Sequence, residues 1–166
     1  MTDVTPSGPL SLPYAGAAEL LAATAAFQAM CSVATAASAL PFIVYPYFDF
    51  DADPSLPRAV LRDWPGQGSF RLSRLGNQEG SLLLTLYCEI PTEYRGDPKN
   101  DHLDWNNTAG AILQQMLQKS RTTNPDTGED FWHLVEVEQI DPPAWLSEAD
   151  TGVPFCRVAT YRLKWV

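Results

Sequence analysis

No lysine or arginine precedes Arg58, although the stretch before it carries five acids, Asp3, Glu19, Asp49, Asp51 and Asp53. This absence decides how the apolar run Ala15 to Leu40 is read. Ala37-Ser38-Ala39 mimics a signal-peptidase site, but a secretory signal opens with positive charge, and none is present. A membrane span is disfavoured as well: Glu19, Gln28 and several hydroxyl residues interrupt the run, and no flanking base sets an orientation. The run therefore predicts a helix of a soluble protein held in a cytosol-like compartment.

Cysteine and histidine are scarce too. The three cysteines, Cys31, Cys88 and Cys156, are widely spaced in apolar segments, and their odd number argues against a disulfide framework. Buried free thiols are expected, which also disfavours a thiolate nucleophile. The only two histidines are His102 and His133. The chain has no G-x-S-x-G, no H-E-x-x-H, no phosphate loop and no dinucleotide fingerprint. Asp49-Phe50-Asp51-Ala52-Asp53 starts like a calcium loop. However, the sixth position is Pro54 rather than glycine, and the twelfth is Val60 rather than glutamate. No metal and no cofactor are expected.

Aromatics, acids and proline are plentiful. Five Trp, six Tyr and seven Phe within 166 residues rule out a disordered chain. The length suits one domain. Fourteen prolines against ten glycines point to ordered loops rather than flexible linkers. The net charge of −9 disfavours tight nucleic-acid binding, which needs cations to displace counterions. The charge is uneven: residues 58–75 carry Arg58, Arg62, Arg71 and Arg74 against Asp63 alone. These arginines read either as ordinary surface charge or as a contact for an acidic partner.

Periodicity supplies the elements. Residues 1–15 hold three prolines and read as an extended arm, with one domain over 16–166. Ala17 to Ser38 reads as one helix, with Leu20, Thr24, Phe27, Cys31 and Ala34 on a face and Pro41 as its stop. Phe42 to Phe48 is β-branched and aromatic, a strand that Pro46 either confines to a sheet edge or ends early. Phe42, Tyr45, Tyr47 and Phe48 read either as packing or as a subunit interface. Residues 49–68 read as a long irregular loop. Strands 69–75 and 81–90 form a hairpin about a turn at 76–80. A second helix runs from Asp101, its cap, to Ser120. Strands follow at 131–140 and 153–166, separated by a proline-bearing loop. Glu136 and Glu138 share a strand face, as solvated residues do. The fold class is α+β, a mostly antiparallel sheet packed by two helices, in the order helix-strand-hairpin-helix-strand-strand.

This element order resembles that of the tail terminator (tail completion) proteins of long-tailed bacteriophages and their head–tail neck relatives. The resemblance runs through the helix Ala17 to Ser38, then Leu40-Pro41-Phe42-Ile43-Val44-Tyr45, the hairpin, the helix 101–120, and the ending Gly152-Val153-Pro154-Phe155-Cys156-Arg157-Val158-Ala159-Thr160-Tyr161-Arg162-Leu163-Lys164-Trp165-Val166. It implies a virion structural protein without catalysis. Such a protein forms a hexameric ring that caps the tail tube and joins it to the head. Its partners would be copies of itself, the tail tube protein and neck or head-completion proteins. Genomic DNA would pass without specific binding, and no membrane would be involved. It would be assembled in the host cytoplasm and sit at the tail–neck junction. The 49–68 loop is longer than the resemblance leads one to expect. Two other classes compete. One is a cone-shaped α+β small-molecule-binding protein or enzyme, with Asp104 or Glu89 paired to His102 or His133. The other is an adaptor that docks through the arginines of 58–74.

Overall fold

A computed structural model describes residues 5, 7, 11–44, 56–65, 70–72, 74, 78–146 and 155–166. The organising element is β4 (Gln78–Glu89), whose alternation sends Leu82, Leu84 and Leu86 to one face. Its antiparallel partner β6 (Cys156–Trp165) adds Ala159, Tyr161, Leu163 and Trp165 to that face, because residues directly opposite in a ladder share a side. Around this pair the sheet has the order β1 (Ile43–Val44), β2 (Arg58–Asp63), β4, β6, β5 (Leu134–Leu146), with β3 (Phe70–Leu72) paired to the start of β4. β1 runs parallel to β2, and every other pairing is antiparallel. The expected hairpin is β3–β4.

Four α-helices are found among the described residues. The three N-terminal ones are α1 (Leu12–Ala22), α2 (Ala25–Met30) and α3 (Ala36–Ala39). The fourth, α4 (Pro98–Lys119), lays Trp105, Ala109, Ile112 and Met116 onto the Leu82–Leu86 face of the sheet. The opposite face carries a smaller cluster, Val60, Tyr87 and Cys156 with Val44, Leu56 and Val158, which contains no helical residue. The fold is thus α+β with a mostly antiparallel open sheet.

Several boundaries differ from the sequence reading. The single helix 17–38 is three helices. Thr24, read as part of the apolar face, is a cap instead: it and Thr35 each have extended backbone and cap the helix that follows, accepting from Phe27 N and Ser38 N. Ser32, at φ 56°, turns the chain between α2 and α3. The arm assigned to 1–15 ends early, because α1 begins at Leu12 with Pro13 inside its first turn. The loop 49–68 contains β2, stabilised by pairing Arg58–Asp63 with Leu82–Tyr87. Phe42 lies in a one-turn 3-10 helix, Leu40–Phe42, rather than in a strand. The cap of α4 is Asp97, whose carboxylate accepts from Asn100 N, while Asp101 is buried. β5 (Leu134–Leu146) runs on through Asp141 and Pro142, a stretch read as loop. It tolerates proline because it is an edge strand with register shifts, so its outer N–H groups owe no ladder bond.

The α4–β5 connection is held by Ser120. Its hydroxyl lies 3.1 and 3.2 Å from the carbonyls of Trp132 and Leu134 and accepts the Leu134 N–H at 2.7 Å. Beyond it, Trp132 packs onto α1 at Gly16, where a Cβ would come within 2.8 Å of the indole. Trp132 and Phe70 each lie 6.0 Å from the Trp165 ring, forming a tilted aromatic row.

Candidate functional site

Three of the four arginines singled out in the sequence, Arg58, Arg62 and Arg71, lie on one flank of the sheet, and Arg74 follows two residues after the end of β3. Arg58 stands opposite Tyr87, Arg62 opposite Leu83 and Arg71 opposite Glu79, so they repeat every fourth residue along β4. An even step keeps them on one face, the face away from the described helices, at intervals of about 13 Å. Arg58 donates to the Pro41 carbonyl at 3.0 Å. Arg71 pairs with Glu79 at 3.3 Å in an exposed contact, the kind worth less than about 1 kcal/mol. Arg62 is half-buried and Arg74 exposed, and neither makes an ion pair among the described residues. Of the aromatic group, Phe42 is half-buried against the core. Tyr45, Tyr47 and Phe48 lie outside the described residues, as do Asp49, Asp51 and Asp53.

A second cluster was not anticipated. Arg157 sits on the apolar face of β6 with only 4% of its side chain exposed, 2.7 Å from buried Asp101 and 2.9 Å from Asp104. Its guanidinium lies 4.6 Å from the Trp105 ring centroid. Asp101 also accepts the indole N–H of Trp145, which is half in solvent. Burial pulls the Arg157 guanidinium down, but Cys88, Asp104 and Asp101 together hold it above its ordinary value. Arg157 therefore stays charged as a structural cation. The signal in the sequence was an arginine in the alternation that otherwise reads Ala159, Tyr161, Leu163, Trp165. Its counterpart is Asp101, one turn before Trp105 on the apolar stripe of α4.

The acid–base pairings considered from the sequence do not form. Asp104 is bound to Arg157, and Glu89 to Arg95 at 2.5 Å. His133 stands 2.7 Å from Arg121, beyond the end of α4 that lies about 26 Å along the helix from His102. Burial, with Arg121 beside it, lowers the His133 pKa. His102 is exposed and lines a cavity of about 160 Å³ with Pro98, Asp101, Trp105, Ala144 and Trp145. Burial, reinforced by Cys88, pushes the Cys31 and Cys156 thiols up to about 12. Burial also raises Cys88, against the pull of Arg157. None of these thiols is a ready thiolate at neutral pH. Among the described residues, no three His, Cys, Asp or Glu side chains converge as a metal site requires.

A groove of about 610 Å³ lies between α1, α3 and the turn 124–127. Ala18, Ala22, Ala36, Ala37, Leu40 and Phe131 make its walls, and Glu19, Lys119 and Asn124 supply polar groups. Glu19 accepts from the Asn124 side-chain amide, which ties the turn to α1. The small alanine side chains of 15–40 leave this space open. No helix among the described residues is long and apolar enough to cross a membrane. No known protein-family model matches the chain, and no curated protein matches it.

Proposed function

We propose that this chain is a non-enzymatic virion connector that forms a ring, caps the tail tube and joins it to the head–neck assembly. The observation that supports this reading is a contrast in how ionisable groups are used. Three of the four candidates for acid–base work are held in structural pairs, Asp104 by Arg157, Glu89 by Arg95 and His133 by Arg121, while the fourth, His102, is exposed and has neither carboxylate as its partner. The flank arginines Arg62 and Arg74 have no such acid among the described residues, which leaves them for a partner. On this reading the partners are further copies of the chain, the tail tube protein and neck proteins. DNA passes an acidic protein without specific contact, and assembly takes place in the host cytoplasm. Native mass measurement and negative-stain imaging at high protein concentration test it. Rings of six 18.3 kDa chains are the expected result, and a monomer that turns over a small metabolite overturns it.

A second reading, a small-molecule carrier, is favoured by the groove alone. Its volume of about 610 Å³ falls within the range of ligand pockets, about 300–1,000 Å³. Titration with an apolar fluorophore checks it. Saturable binding that Ala37→Trp abolishes supports the carrier, and binding unchanged by that substitution overturns it.

A further inference from the structure

The sheet face away from the described helices can be read across its strands by register. One row runs Arg62 on β2, Leu83 on β4, Arg162 on β6 and Glu138 on β5. The next ends at Asp141, opposite Thr160. The first row therefore starts in a cation and ends in an acid; the second starts at Val44 and Val60, where β1 lies outside β2, and also ends in an acid. The β2–β3 flank adds exposed Arg71 and Arg74, and the β5 acids are exposed as well. Glu138 is only loosely engaged inside the chain, at 3.8 Å from Arg162 and 4.0 Å from Lys164. Asp141 makes no ion pair among the described residues. Each flank also exposes an apolar side chain, Leu72 on β3 (55%) and Val135 on β5 (47%).

We propose that these flanks are the two halves of one head-to-tail contact, the β2–β3 flank of each copy seating on the β5 flank of a second copy of this chain. The proposal rests on the ring reading above and specifies its joint. Charge selects the geometry. A two-fold contact through either flank sets like charge against like, which costs free energy. Only the heterologous arrangement sets Arg62 and Arg74 against Glu138 and Asp141. Repeated, that arrangement closes into a ring or extends as a filament. A polyanion is the weaker candidate for the arginines, because the chain as a whole carries −9.

The test is a charge swap on the full-length chain, read by sedimentation velocity across protein and salt concentration. Arg62→Glu/Arg74→Glu reverses one flank, and Glu138→Lys/Asp141→Lys reverses the other. Each double variant alone is expected to associate at least about tenfold more weakly than wild type. Mixed one to one, they are expected to recover assembly as an alternating oligomer, because one junction is then the wild-type pairing and the other its charge-reversed complement. Wild-type assembly is expected to weaken as salt screens the contact. Circular dichroism checks folding, and the exposed pair Arg71→Glu/Arg74→Glu replaces the first variant if half-buried Arg62 does not tolerate reversal. Rings that form equally well in wild type and both variants overturn this joint and leave the ring reading standing. A wild-type chain that stays monomeric at every concentration in low salt overturns both. Tight retention on heparin without self-association assigns the arginines to a polyanion and overturns the joint.

Discussion

The two ends of α4 are fastened to the same sheet by opposite means. At the N-terminal end the fastening is charge: Arg157 reaches from β6 to Asp101 and Asp104, and Trp145 closes over Asp101 from β5. At the C-terminal end it is volume. Ile112 and Met116 are fully buried, Gln115 accepts from Ala26 N on α2, and Trp132 fills the space left by Gly16. The difference teaches where each method tolerates change. A packed end fails gradually as atoms are removed or added. A buried ion pair fails abruptly when one partner goes, because the other charge stays desolvated. The Arg157 Nε, buried without a hydrogen-bond partner, indicates that the charged end is incompletely satisfied even as it stands.

The largest expected effect breaks the charged end. Arg157→Met leaves Asp101 buried without its cation and is expected to cost about 3–5 kcal/mol in urea unfolding. Adding Asp101→Asn should recover most of that loss. A double variant as unstable as the single would show that the cluster holds by packing, erasing the contrast with the other end. Next in size is Gly16→Ala. Its methyl group meets the Trp132 ring, and the overpacking is expected to cost about 1–3 kcal/mol, with a shift in tryptophan emission as Trp132 moves. An unchanged midpoint would mean that the packed end has slack.

The smallest effect sharpens the comparison through pH, since the far end also holds His133 against Arg121. The folded His133 pKa is lowered, so the native state takes up a proton less readily than the unfolded chain. The stabilising contribution is complete above the ordinary histidine value of about 6.5 and is lost as pH falls from there through the lowered folded value. Wild type should therefore lose more thermal stability than His133→Gln between about pH 7.5 and 5.5. Equal losses would refute this.

What the sequence makes legible follows from where its periodicity is undisturbed. β4 and β6 alternate cleanly, and the stripe Trp105, Ala109, Ile112, Met116 can be read without the structure. The N-terminal region is obscured by alanine, which favours helix at every position and so hides Thr24 and Thr35 as caps. β2 has only Ala59, Val60 and Leu61 as apolar residues between arginines, and prolines lie on both sides. Its strand character comes from the β4 backbone rather than from its own composition. Of the candidate interface, the gathering of Arg58, Arg62 and Arg71 on one flank needed the register of two different strands. The Arg157–Asp101 pair, 56 residues apart in sequence, is a conflict with the apolar pattern at each end. Each conflict makes sense only when both are seen together.

Ser120 carries a consequence of its own. β5 pairs with β6 through three register shifts, and a strand so interrupted has no continuous ladder to index it. A slip of one residue would exchange Leu134 and Val137 with the glutamates beside them. By accepting the Leu134 N–H, the Ser120 hydroxyl ties the first residue of the strand to the last turn of α4 rather than to its neighbour in the sheet. The phase of the whole edge, including which residues it offers outward, is therefore set by a single oxygen at the end of a helix.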